Sequence, residues 1–294
     1  MGHDDIRIGT LIQAEGAARA IGAIHAHGFE CFQITFGQHI GTIDLERLAE
    51  QVRGVLPQAP HRPAISALGL YGNPLVDQQT ERDWARLIDA AEQFDCRVIG
   101  GFAGRIPDTA VPESISRFRE VFGPLAERAE DRGVRLAFEN CDMGGDWQRG
   151  TWNIAHAPAA WEMMFDAVPS TALGLEWEPC HQMVSFIDPI AQLRQWAEKI
   201  VHVHGKDASV MWDVVRRDGI RGPQPTVYHR TPGFGDSNWT DIISILRLAG
   251  YQGAIDIEGW HDPVYRDELE MTGQVHALNY LRQCRGGAYL GNPQ

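Results

Sequence analysis

The chain has 294 residues, of which 44% are hydrophobic and 22% charged, and a formal net charge of −13. This is ordinary globular composition, long enough to bury a full core. The acidic balance argues against a nucleic-acid partner, because phosphate backbones would be repelled, and no apolar run approaches the roughly 18 residues that a membrane span requires. Cys31, Cys96, Cys141, Cys180 and Cys284 are scattered without a CxxC pair, which argues against a disulfide framework or a zinc ribbon. The opening Met1-Gly2-His3-Asp4-Asp5 lacks the basic and apolar stretches of a secretory signal. Ile6 stands where a myristoylation signal carries Ser or Thr. A cytoplasmic protein with reduced thiols is expected.

Short apolar runs alternate with longer amphipathic segments. The first run, 6–11, leads into Gly9-Thr10-Leu11-Ile12-Gln13 without the glycine-rich phosphate turn of an open doubly wound sheet. Further strand-like runs follow at 30–35, 64–70 and 97–102. Between the last two, Trp84, Leu87, Ile88 and Ala91 carry the i, i+3, i+4, i+7 spacing of a helix over 83–94. A helix over 114–131 stops at Arg132-Gly133 before the run 134–139. The runs 172–178 and 200–205 flank a helix over 189–199. Ser237-Asn238 offers N-caps for a helix over 240–249, and Tyr251-Gln252-Gly253 turns into the last run, 254–258. Eight strands separated by helices imply parallel pairing through crossovers. The expected fold is therefore α/β, a closed (β/α)8 barrel formed by residues 1–294 as one domain. Residues 208–228 read as an insertion, either a lid or a subunit contact, and 265–294 as a C-terminal helical extension.

Barrels of this kind carry their chemistry at the C-terminal strand ends. The fifth run ends in Glu139-Asn140, the sixth in Glu176-Trp177-Glu178, the seventh in His202-Val203-His204 and the eighth in Asp256-Ile257-Glu258. Strand side chains alternate, so each i, i+2 pair shares a face and its second member lies nearer the mouth. Carboxylates gathered there would repel one another unless a divalent cation sat among them. Glu139, Glu178, His204 and Glu258 form the expected ligand set. Each has a plainer reading when taken singly. Glu139 alone could be a surface residue at a strand end, and His202 reads as a hydrogen-bonded core histidine with Glu176 or Asp256 as its partner.

These segments resemble the sugar phosphate isomerase/epimerase family, the xylose-isomerase-like group of TIM barrels that includes ketose 3-epimerases and inositol-pathway enzymes. The resemblance rests on Phe138-Glu139-Asn140, Gly174-Leu175-Glu176-Trp177-Glu178-Pro179-Cys180-His181, Ile200-Val201-His202-Val203-His204-Gly205-Lys206-Asp207, Pro232-Gly233-Phe234-Gly235-Asp236 and Ile257-Glu258. It implies a metal held by Glu139, Glu178, His204 and Glu258, with Glu178 longer than the aspartate usual at that position. It also implies that Glu139 and Glu258 serve as acid and base. His181 matches the family's substrate-contacting histidine. Arg230 lies near a substrate-binding arginine, with His229 as its rival. Lys206 and Trp260 complete the expected substrate contacts, Trp260 as a wall for a sugar ring or else as a buried packing residue. Arg216 and Arg217 are expected to be solvated.

An oxygen-rich ligand set favours Mn²⁺, then Mg²⁺ and Co²⁺, with Zn²⁺ also compatible. The expected chemistry is removal of a proton next to a carbonyl and its return, which epimerises or isomerises a sugar, keto-sugar or inositol derivative. Loss of a β-hydroxyl or another leaving group would instead make the chain a dehydratase or lyase on a keto-inositol or 3-keto-glycoside. A non-catalytic sugar-binding barrel is the remote alternative. A trinuclear-zinc nuclease is disfavoured, because Leu70-Tyr71-Gly72-Asn73 and Phe102-Ala103-Gly104-Arg105 lack its extra histidines. The expected partner is a small carbohydrate or cyclitol, without nucleic acid or membrane, and a homo-oligomer fits the family's habit of pairing.

Overall fold

A computed structural model describes residues 5–59 and 61–293; the N-terminal motif at 1–4 lies outside them. Among the described residues the strands, in chain order, are β1 (Ile6–Gln13), β2 (Cys31–Thr35), β3 (Ala64–Leu70), β4 (Val98–Gly101), β5 (Arg135–Glu139), β6 (Leu173–Trp177), β7 (Ile200–Gly205), β8 (Asp207–Val210), β9 (Val227–Arg230) and β10 (Gly253–Ile257). The helices are α1 (Ala17–Ile24), α2 (Leu45–Val55), α3 (Gln78–Ala90), α4 (Val111–Arg132), α5 (Pro158–Ala167), α6 (Pro179–Val184), α7 (Pro189–Trp196), α8 (Trp212–Asp218), α9 (Trp239–Leu248) and α10 (Glu270–Cys284). Eight strands close into a barrel in the order β1-β10-β7-β6-β5-β4-β3-β2, as the sequence pattern predicts. All five residues of β2 and of β6 are buried, as strands covered on both faces require.

The described chain divides into two compact units, one of 5–10, 178–198 and 204–293, the other of 11–177 and 199–203. In the second unit the core between helices and sheet is aromatic. Phe138 of β5 meets Phe122 at 4.8 Å and Phe118 at 5.4 Å between ring centroids, while Trp84 of α3 meets Phe122 at 5.3 Å. Phe138 therefore faces the helices, and strand alternation turns Glu139 to the opposite, inward face. Close approach inside this unit also depends on a missing side chain. A Cβ on Gly100 would stand 2.2 Å from Glu176 Oε1.

In the first unit β8 pairs antiparallel with β9, from Asp207↔Arg230 to Val210↔Val227. The 208–228 segment is thus a hairpin carrying α8. Cys180 and Met183 of α6 pack on Ala208, Val210 and Val227 beneath it. Arg216 and Arg217 are exposed as expected. The hairpin escapes the periodicity argument because its strands are only four residues each. Helix bounds shift modestly. The stripe 83–94 belongs to α3, which begins at Gln78 under the Asp77 cap and ends in a 3-10 turn, Ala91–Phe94. Asn238 does cap α9, its side chain accepting from Asp241 N. The five cysteines form no disulfide with one another, and among the described residues no helix is long and apolar enough to cross a membrane.

Candidate metal centre

Three of the four expected ligands meet in the first unit. His204 comes from the end of β7, and Glu258 directly follows β10, its backbone N–H bonded to Gly205 O at 3.1 Å. Glu178 differs from its sequence reading. Strand β6 stops at Trp177, and Glu178 is the N-cap of α6, in an extended conformation before Pro179. Proline at the first helical turn sacrifices no hydrogen bond and forces the preceding residue out of the helix. The three side chains are 0%, 1% and 6% exposed for Glu178, His204 and Glu258, and one donor atom from each lies within 4.8 Å of the others.

Lys206 lies against two members of this group. Its Nζ is 2.8 Å from Glu258 Oε1, 3.9 Å from Glu178 Oε1 and 3.2 Å from His181 Nε2. His181 Nε2 is itself 2.8 Å from Glu178 Oε1. His204 Nδ1 lies 3.3 Å from Glu258 Oε2. Burial pushes the Glu258 carboxyl up, but the Lys206 ammonium and hydrogen bonds from His204 and His261 outweigh it and hold it well below the carboxylate range. Burial acts the other way on His181, with Lys206 adding to it, and keeps that imidazole neutral.

His261, absent from the sequence-based expectations, approaches Glu258 Oε1 at 3.2 Å by Nε2. Its only sequence signal is the i+3 spacing from Glu258. His229 stands edge-to-face against both His181 and His261, at 5.2 and 5.8 Å. Burial, with Lys206 and His261 beside it, brings its pKa down to about 4. Arg230 Nε donates to Asp262 Oδ2 at 3.1 Å, and the same oxygen takes Thr231 N–H at 2.9 Å. Trp260 is 36% exposed, so it is no buried packing residue.

The second unit holds Glu139 at the end of β5, 5% exposed and paired in register with Glu176. Beside it runs a buried polar network. His202 Nε2 lies 2.9 Å from Gln33 Oε1, Gln33 Nε2 donates to Glu176 Oε1 at 3.0 Å, and Tyr71 O–H donates to Glu176 Oε2 at 3.0 Å. His202 is thus a core histidine, as expected, and the pattern of single strands does not foresee Gln33 beside it.

The donor set suits a hard or borderline divalent ion. Glu178 and Glu258 are two buried carboxylates sharing one ammonium, Lys206, and His204 adds a nitrogen. A family model of the xylose isomerase-like TIM barrel matches residues 21–284. The chain belongs to that family. Among curated proteins it is 31% identical over 163 residues to the rhizopine catabolism protein MocC of Rhizobium meliloti, covering 54% of this chain and 44% of that one. It is 24% identical over 165 residues to inosose dehydratase of Bacillus thuringiensis, covering 55% and 52%. The match thus spans about half the length of these relatives. Among solved structures, the 3-keto-D-glucoside 4-epimerase YcjR of E. coli aligns over 95% of this chain and 100% of its own, with a TM-score of 0.69 and 17% identity. That likeness concerns the fold.

Proposed function

We propose that this chain is a divalent-metal-dependent enzyme that epimerises or isomerises a sugar, keto-sugar or inositol derivative by moving a proton next to a carbonyl. Glu139 joins Glu178, His204 and Glu258 as ligand, with Mn²⁺ the favoured ion. The observation that carries this reading is the buried group of Glu178, His204 and Glu258, whose two carboxylates share one lysine. The barrel order, in which β5, β6, β7 and β10 are successive neighbours, supports adding Glu139. A bound divalent ion would polarise a substrate carbonyl and so acidify the adjacent C–H.

The protein's own residues do the rest. Glu258, held ionised, accepts the proton from one face of the substrate, and Glu139 returns one from the other. Lys206 and His261, both at Glu258 Oε1, orient that carboxylate. Neutral His181 and His229 present ring edges suited to hydroxyl groups.

A second reading, dehydration of a keto-cyclitol, is favoured by the inosose dehydratase match. One experiment separates the two. Mn²⁺-loaded protein is incubated with a panel of ketoses and keto-inositols in D₂O and followed by NMR and ultraviolet absorption. Deuterium entering a carbon next to the carbonyl, with the skeleton intact, is the expected result. Water release with a new conjugated chromophore would move the assignment to the dehydratase. No exchange at any such carbon across the panel would count against both.

A further inference from the structure

We propose that Asn153 is a positioning residue that aims Glu139. The inference rests on Glu139 being a metal ligand, as proposed above. Residues 140–157, which follow Glu139, contain no regular structure, so the aim of the last β5 residue needs a local anchor. Asn153 supplies it. Its Nδ2 donates to Glu139 O and to Cys141 O, both at 2.8 Å. Its Oδ1 accepts from Ala103 N and Ala155 N, both at 3.1 Å. Two donations and two acceptances use the whole hydrogen-bonding capacity of an asparagine amide. The side chain is 1% exposed, so water cannot replace those bonds.

The two carbonyls it holds lie on either side of Asn140 and fix the backbone that leaves the Glu139 Cα, the atom from which its side chain projects. Loss of the amide would leave both to find new partners and would free the 139–141 backbone to rotate. Aspartate in its place would keep the size but lose both donations and set a carboxylate against two carbonyl oxygens.

Asn73 supplies an internal control. It is equally saturated: Nδ2 donates to Arg105 O and Thr151 O, both at 2.7 Å, and Oδ1 accepts from Leu75 N at 3.2 Å and Arg105 N at 3.0 Å. It staples the same segment without bonding Glu139 or Cys141.

The test compares Mn²⁺ affinity, measured by the electron paramagnetic resonance of free Mn²⁺, in wild type, Asn153→Ala, Asn153→Asp and Asn73→Ala, each with its melting temperature. Outer-shell partners of ligands commonly contribute about 10–100-fold to metal affinity. Both Asn153 variants should therefore bind Mn²⁺ at least about 10-fold more weakly, while Asn73→Ala stays within about twofold despite a similar fall in melting temperature. If one Asn153 variant does not fold, the other carries the comparison. Wild-type affinity in a folded Asn153 variant, or equal weakening in Asn73→Ala, would overturn the proposal. Failure of wild type itself to bind Mn²⁺ would overturn the metal reading beneath it, and that shows before any substitution is compared.

Discussion

Replacing Glu258 with Gln should lower kcat/KM by about 10³-fold on whatever substrate the panel identifies, within the 10²–10⁴ usual for loss of a general base. The change is nearly isosteric, and the amide oxygen can still accept from Lys206 at the Oε1 position, 2.8 Å away. What disappears is the negative charge that Lys206, His204 and His261 hold ionised against burial. An amide can neither take the proton nor ligate a cation as strongly. Glu139→Gln should cause a loss of the same order, and the double variant should lose little more than the worse single one, because residues that act as a unit in one reaction are not additive. Steady-state kinetics at saturating Mn²⁺, with bound metal assayed in the same samples, decides this. Activity within threefold of wild type at full metal occupancy would remove both residues from the chemistry.

Adding Mn²⁺ at about 100 times its dissociation constant should stabilise the protein by about 2.7 kcal/mol, because the ion binds the folded chain alone. At about 2.1 cal/mol/K of unfolding entropy per residue, that is a rise of roughly 4–5 °C in melting temperature. The physical source is the pair of buried carboxylates, Glu178 and Glu258, with one ammonium between them. In the metal-free protein Lys206 partly offsets their repulsion, and a divalent cation would offset it more fully. Chelation should reverse the shift, and His204→Ala should largely abolish it. Differential scanning calorimetry with and without chelator reads it directly. An equal rise in His204→Ala would mean that the ion binds somewhere else.

The residues most legible in the sequence are those whose signal is local. Glu139, His204 and Glu258 stand out because each ends an apolar run and strand alternation ranks it against its neighbours. Phe138, packed on Phe118 and Phe122, shows that alternation at work one residue before Glu139. Glu178 emerges from the same reasoning for a partly wrong reason: it caps α6 rather than ending β6, because Pro179 starts a helix there. Periodicity cannot see that switch, whereas the rule for the residue before proline can.

What stays hidden depends on partners far apart in the chain. Gln33 and His202 meet across 169 positions, and nothing in either segment announces the other. Lys206 reads from sequence as a substrate contact, and only the folded arrangement makes it the ammonium between Glu178 and Glu258. Arg230 reads as a substrate contact too, yet its tie to Asp262 arises from the turn after Glu258, where Asp262 also receives Val264 N–H and Tyr265 N–H. Trp260 draws attention as an aromatic residue, while the neighbouring His261 is the one that touches Glu258.

All of the proposed chemistry depends on a single divalent ion held by Glu139, Glu178, His204 and Glu258. A crystal of the Mn²⁺-loaded protein, measured at the manganese absorption edge, shows most directly whether that ion is there. One anomalous peak is expected, bonded to Glu139, Glu178, His204 and Glu258 with metal–oxygen distances of about 2.2 Å. A peak bonded to other residues, or no peak from a crystal soaked well above the measured dissociation constant, would contradict it.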